Sequence, residues 1–212
     1  MHWRDAPATV VLTVATLAAS LLILGTGWLP EAAVGGGVIP LRLSGAVMPA
    51  DHGVVLPAWL TPLSATLVHG GFAHVALNLV MLAYCGAQAE RALGAGGLLI
   101  LYVAGAYAAA VGQWALAPAS PMPMIGASGA ISAVVAGYAL LYGERRAKRI
   151  GPLPGGLLHV LWLAAAWIGI QAMIGVAGIG GGPAIAVGAH VGGFLAGLVL
   201  TRPLLLWRYR RA

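Results

Sequence analysis

Acidic side chains are nearly absent from this chain: five Asp and Glu stand against eleven Lys and Arg in 212 residues, and charged residues make up only 8% of the whole. A soluble domain of this length could hardly keep its surface hydrated on so few charges. Hydrophobic residues account for 60%, and the mean hydropathy is +0.93. Cysteine occurs once, at Cys85. That excludes an internal disulfide and leaves a thiol inside an apolar run, where packing is the plain reading. No repeat of fixed period and no soluble module can be drawn. There is also no His-Glu-x-x-His sequence and no carboxylate near His69, His74 or His190, so the usual signature of a catalytic zinc is missing. The net charge of +6 does not require a nucleic acid, because the basic residues flank apolar segments and would meet anionic lipid headgroups.

What the chain does have is apolar length. A helix needs about 20 mostly apolar residues to cross a hydrocarbon core of roughly 30 Å. Six such segments can be drawn, at about 8–29, 71–89, 97–117, 126–143, 158–178 and 184–206. The expectation is an all-α, polytopic membrane protein with six transmembrane helices and a single integral membrane domain over 1–212. The first segment lacks a small-residue cleavage site before Glu31 and is read as a retained helix. With six spans, every basic residue except Arg42 falls on one side: Arg4, Arg91, Arg145, Arg146, Lys148, Arg149, Arg202, Arg208, Arg210 and Arg211. The positive-inside rule makes that side cytoplasmic, together with both short terminal tails. The stretch from about 30 to 70 and the loops near 118–125 and 179–183 then face outward. In the first of these, Ala58-Trp59-Leu60 has the character of an interfacial helix.

Polar side chains inside lipid are costly and usually face a protein interior or a water-filled cavity. Four of them fall at matching depth. Pro118, Pro121 and Pro123 keep the preceding loop non-helical, so Ser128 of Gly126-Ala127-Ser128-Gly129 lies in the first turn of the fourth span. Helix starts carry unpaired N–H groups and partial positive charge, the surroundings acyl transfer requires. The flanking Gly126 and Gly129 would admit a substrate backbone. Taken alone, a serine at a glycine-rich helix contact is equally a packing residue. His190 lies a few residues into the sixth span, which runs in the same direction as the fourth, and Gly192, Gly193 and Gly197 would let the two helices approach. A lone histidine there could be a tie between helices; beside a serine, it is a general base. His74 and Asn78, four apart on one face, would donate to a developing oxyanion. His69, at the water boundary, reads as a residue that structures the loop. A metal site is the rival reading of three histidines.

The set His69-x4-His74-x3-Asn78, Gly126-Ala127-Ser128-Gly129 and Ala189-His190-x2-Gly193-x3-Gly197, in order on the second, fourth and sixth spans, resembles the rhomboid family of intramembrane serine proteases. The resemblance implies a six-helix bundle with a core at about 55–206, most similar to the bacterial type and set in the inner (cell) membrane. It also implies a catalytic dyad of Ser128 and His190 without an acid, and an oxyanion hole made by the Ser128 amide, His74 and Asn78. Gly126, Gly129, Gly193, Gly197 and His69 would support the site, with no cofactor and no metal. Substrates would be single-span or polytopic membrane proteins, cut near their outer boundary after lateral access beside the fifth span. Glu90, followed by Arg91 and Gly94, resembles a structural position at the cytoplasmic end of the second helix. Two departures stand out. Trp59-Leu60-Thr61 replaces a Trp-Arg pair in the first external loop, and Ser132 replaces an aromatic that stacks on the histidine in some members. Two other classes of function remain. A silent binding member of the fold would normally have lost its serine or histidine. A small transporter would need polar residues through the inner half, where Gln113 and Gln171 mark no continuous path.

Overall fold

The computed structural model describes residues 5–46, 54–143, 153–177 and 186–210, with side chains described for all but 170–177. Asp51, Arg4, Arg145, Arg146, Lys148, Arg149 and Arg211 lie outside the described residues, as does the 179–183 loop. The elements are α1 (Pro7–Thr26), α2 (Leu29–Gly36), α3 (Pro40–Leu43), α4 (Thr61–Ser64), α5 (Phe72–Met81), α6 (Ala87–Leu116), α7 (Ser128–Tyr142), α8 (Gly155–Ala177) and α9 (Val187–Tyr209). A 3-10 turn (Ala65–Leu67) follows α4, and a π-helical turn (Leu82–Gly86) joins α5 to α6. The fold is all-α and the protein is integral to the membrane. Pro7–Thr26, Phe72–Leu116 and Val187–Tyr209 are long and apolar enough to cross, and shorter apolar helices cover Ser128–Tyr142 and Gly155–Gly169.

The helical run Phe72–Leu116 has 45 residues, which at about 1.5 Å each is more than twice a bilayer core. It is broken at Gly94, whose φ of 78° and ψ of 164° are not helical. Leu82, Cys85 and Ala89 before the break share one core cluster with Leu98, Tyr102 and Ala106 after it, as the two arms of a hairpin do. The second and third expected spans are therefore the two arms. The loop expected between them reduces to one residue in a conformation that glycine adopts freely.

Contacts between small residues fix the directions of the other helices. Added Cβ atoms at Gly193 and Gly197 would run into the carbonyls of Gly129 and Ala133, and one at Gly137 would lie 3.0 Å from Thr201 Oγ1. The sequence offset between partners is constant, so α7 and α9 run parallel, as expected. Against α6 the order reverses: Gly105 faces Ala130 and Ala133, whereas Gly129 faces Ala109, and Gly112 and Ala108 face Gly188 and Gly192. Thr9 of α1 meets Glu90 while Ser20 meets His69, so α1 opposes α5. His159 of α8 lies near Gly143, and Trp167 reaches His190, so α8 opposes both of its neighbours. The six passes alternate in direction.

Two segments differ from expectation. The first span ends at Thr26, where Gly27 at φ 75° caps it, instead of near 29. The stretch from about 30 to 70, where only residues 58–60 were expected to be helical, contains α2 and α3. Gly35 is helical because its missing Cβ leaves room for the Val54 carbonyl, a contact invisible to local sequence. Residues 58–60 form a turn leading into α4 rather than an interfacial helix, with the Trp59 carbonyl held by Tyr107 Oη at 3.0 Å. In place of the Trp-Arg pair, Arg42 Nη2 donates to the Leu56 carbonyl at 2.6 Å and Thr61 Oγ1 to Ala58 O at 2.7 Å.

Candidate active site

Ser128 is the first residue of α7, so helix geometry gives its N–H no intrahelical acceptor. The loop before it is pinned on both sides. Met124 and Val38 exchange backbone hydrogen bonds at 2.7 and 2.9 Å, and Gly126 N–H donates to Ala65 O at 2.9 Å. Gly126 sits at φ 110°, where a side chain is strained, and a Cβ there would lie 2.8 Å from Cε1 and Nε2 of His74. Its contribution is thus to let His74 approach the serine loop. Gly129 differs from expectation: it is buried against Ala109 of α6, so it serves helix packing and offers no surface to a substrate.

His190 Nε2 lies 2.7 Å from Ser128 Oγ, and both residues are half-buried. The contact follows from the α7–α9 register, because Gly193 lets the two backbones touch one turn further in. Ser132, the position lacking an aromatic, turns its hydroxyl back to Ser128 O at 2.8 Å. His190 is instead held from α8. Trp167 Nε1 donates to the His190 carbonyl at 3.2 Å, and the Trp167 ring stacks on Phe194, one turn beyond His190, with centroids 4.8 Å apart and planes within 9°.

On the opposite side, Gly70 N–H donates to His74 Nδ1 at 3.3 Å. A neutral ring accepting at Nδ1 carries its proton on Nε2, so the N–H points from the edge that lies against Gly126. Asn78 is buried one turn along α5, with Nδ2 donating to the His74 carbonyl at 2.9 Å. That bond uses one of its two amide hydrogens and fixes the carboxamide below His74.

His69 is fully buried, not at the water boundary. Ala127 N–H donates to its Nε2 at 3.3 Å, so the ring proton sits on Nδ1 and is given to Ser20 Oγ at 2.9 Å; the serine hydroxyl in turn donates to Leu67 O at 3.1 Å. Each donor in this relay has one acceptor, and the order holds only for a neutral imidazole. Burial, with His74 alongside, pushes the His69 pKa down from 6.5 to about 4. The ring also packs edge-on against His74 at 4.9 Å. Ser20 and Trp167 were missed by sequence reasoning. The signal for Ser20 was the spacing of Thr9, Thr16 and Ser20, all buried on one face of α1.

Among the described residues no group of three His, Cys, Asp or Glu side chains converges on a point that could hold a metal. The arrangement is an imidazole on a hydroxyl, beside a helix start and a second imidazole N–H. It can polarise Ser128 and stabilise negative charge next to it.

Comparison with known proteins gives a match to the Rhomboid domain family model over residues 57–207. The chain is similar to the rhomboid protease GlpG of Yersinia enterocolitica, 34% identical over 163 residues, covering 74% of this chain and 53% of that protein. It is also similar to GlpG of Serratia proteamaculans, 34% identical over 154 residues (72% and 50%), and to GlpG of Yersinia pestis, 32% identical over 196 residues (92% and 61%). The chain thus spans between half and about three-fifths of the length of the curated relatives it matches.

Proposed function

The chain belongs to the rhomboid family, and from that premise we propose that it is an intramembrane serine endopeptidase with Ser128 as nucleophile and His190 as general base. The observation that carries the reading is the 2.7 Å contact between Ser128 Oγ and His190 Nε2 at the start of a helix. A substrate helix enters laterally beside α8 and unwinds, because its scissile carbonyl must leave the helix's own hydrogen bonds to meet Ser128. His190 takes the Ser128 proton as Oγ attacks the scissile carbonyl. The tetrahedral anion is held by the Ser128 N–H, the Nε2–H of His74 and the remaining amide hydrogen of Asn78. His190 then gives its proton to the leaving amine, and water hydrolyses the acyl-enzyme. Ser128 and His190 lie at the end of the bundle opposite Arg91, Arg208 and Arg210. With that basic end cytoplasmic, cleavage falls near the substrate's outer boundary, and the bacterial inner membrane is the setting.

The test is direct. A fluorophosphonate should label Ser128 in the purified chain, and a panel of single-span substrates should include one that is cut. Ser128→Ala and His190→Ala should abolish cleavage with an unchanged melting temperature. Cleavage at the parental rate by Ser128→Ala would remove the assigned nucleophile, and loss of activity on chelation would favour the metal alternative.

A further inference from the structure

At the end of the bundle remote from Ser128, a cleft of about 330 Å³ is lined by Leu93, Gly96, Gly97, Trp207, Arg208 and Arg210. It forms where the last turns of α9 cross the break at Gly94. The Arg208 guanidinium lies over that glycine, where an added Cβ would be 3.7 Å from Cζ, and Nη1 donates to the carbonyls of Glu90 and Arg91 at 3.3 and 2.5 Å. The group is thereby fixed at the cleft wall. Arg210 leans over the Trp207 ring, with Cζ 5.9 Å from its centroid.

Among the described residues neither arginine has an ion-pair partner, and the adjacent carboxylate, Glu90, is 2% exposed and turned away. Its oxygens accept from Ala8 N, Thr9 N and Thr9 Oγ1 at 2.9, 2.7 and 2.7 Å. The floor leaves space, since a Cβ on Gly96 would meet nothing within 4 Å. Trp207 on the cleft wall is 47% exposed, and its neighbours Leu206 and Tyr209 add apolar and aromatic surface beside the cleft, 61% and 51% exposed on a helix long enough to span. Trp and Tyr of this kind sit at headgroup level.

We propose that this cleft binds the phosphate of one anionic phospholipid, gripped between Arg208 and Arg210, with its acyl chains lying along Leu206 of α9. Guanidinium forks match phosphate oxygens in geometry as well as charge. A dianionic free phosphate has the same chemistry but would make no use of the exposed apolar wall.

The experiment uses the full chain in nanodiscs of mixed phosphatidylcholine and phosphatidylglycerol, followed by native mass spectrometry of the lipid each chain retains after extraction. The parent should retain one phosphatidylglycerol in preference to phosphatidylcholine. Arg210→Gln should weaken retention about fivefold, the change expected for one arginine at a headgroup. Gly96→Leu, which fills the floor and leaves every charge in place, should abolish it. Both variants should melt with the parent, since neither residue makes a backbone bond that would be lost. Millimolar inorganic phosphate should leave the lipid bound. Equal retention of the two lipids, or parental retention by both variants, would overturn the site; complete displacement by phosphate alone would overturn the lipid as its occupant in favour of a soluble anion.

Discussion

Replacing His69 by phenylalanine should abolish the proposed cleavage although His69 makes no contact with Ser128 or His190. The ring is fully buried and accepts the Ala127 N–H while donating to Ser20. Phenylalanine keeps most of the volume and removes both bonds, leaving the Ala127 N–H buried without an acceptor, while the Ser20 hydroxyl keeps its bond to Leu67 O. The orphaned N–H costs about 1–3 kcal/mol and the lost Ser20 bond about 1 more, so a loss of roughly 2–4 kcal/mol is expected. Ser20→Ala leaves the Ala127 bond in place but strips the buried Nδ1–H of His69 of its acceptor, so it should cost about 1–3 kcal/mol. Because Ala127 directly precedes Ser128, His69→Phe also frees the loop that carries Ser128, and a displacement of about 1 Å can lower turnover on the order of a hundredfold. The assays are thermal unfolding in detergent and the rate of fluorophosphonate labelling of Ser128. Acid should act through the same group. His69 titrates at about 4 when folded against its ordinary 6.5, so the unfolded chain takes up the proton first. The stability it contributes is complete above 6.5, falls as pH drops below that value, and is gone below about 4. In His69→Phe that part of the pH dependence should vanish. Parental melting and labelling in His69→Phe would refute the relay.

Three further outcomes test other parts of the structure. His74→Ala and Asn78→Ala should each lower kcat by about 10²–10³ with little change in substrate binding, the loss typical of one oxyanion donor; full activity in both, from steady-state kinetics, would reduce them to packing. Glu90→Gln should lower stability by about 1.5–3 kcal/mol, because the carboxylate accepts both N–H groups at the start of α1 and the Thr9 hydroxyl, and an amide can accept at only one oxygen; an unchanged melting temperature would contradict that. With Cys85 removed, single cysteines at Asp51 and Pro118 should react with an impermeant maleimide added outside cells, and cysteines in Arg145–Arg149 or at Arg210 should not; labelling of Arg210 would invert the orientation and with it the outer cleavage boundary.

The residues that gather around Ser128 were legible because a polar atom inside lipid is rare, so each one carries information. His74, Asn78 and His190 are marked by type alone, and the equal directions of α7 and α9 follow from counting spans. Hydroxyls carry far less. A serine or threonine in a helix can bond its own preceding turn, as Thr201 does with Gly197 O at 2.6 Å and Ser132 with Ser128 O. Residue type therefore does not distinguish Ser20, which reaches across to His69; only its place on one face of α1 with Thr9 and Thr16 does. Glycine was ambiguous for a similar reason. Gly35 inside a helix, Gly94 as a complete turn, and Gly129 packed on Ala109 are decided by atoms from distant segments, and the same residue in the same sequence reads as loop, linker or substrate cleft.

The least legible element is also the one with most leverage over the chemistry. α1 contributes no reacting group and buries few large apolar side chains; its buried residues are Ala8, Thr9, Thr16 and Ser20. Polar groups from elsewhere hold it at both ends, Glu90 at its start and His69 near its finish. The second of these contacts continues through His69 Nε2 to the amide of Ala127, immediately before Ser128. In lipid, where helix association gains nothing from excluding water, such bonds decide how one helix sits against another. A shift of α1 along its axis therefore acts on the loop that carries Ser128, and a helix that looks like a simple membrane anchor sets the position of the serine.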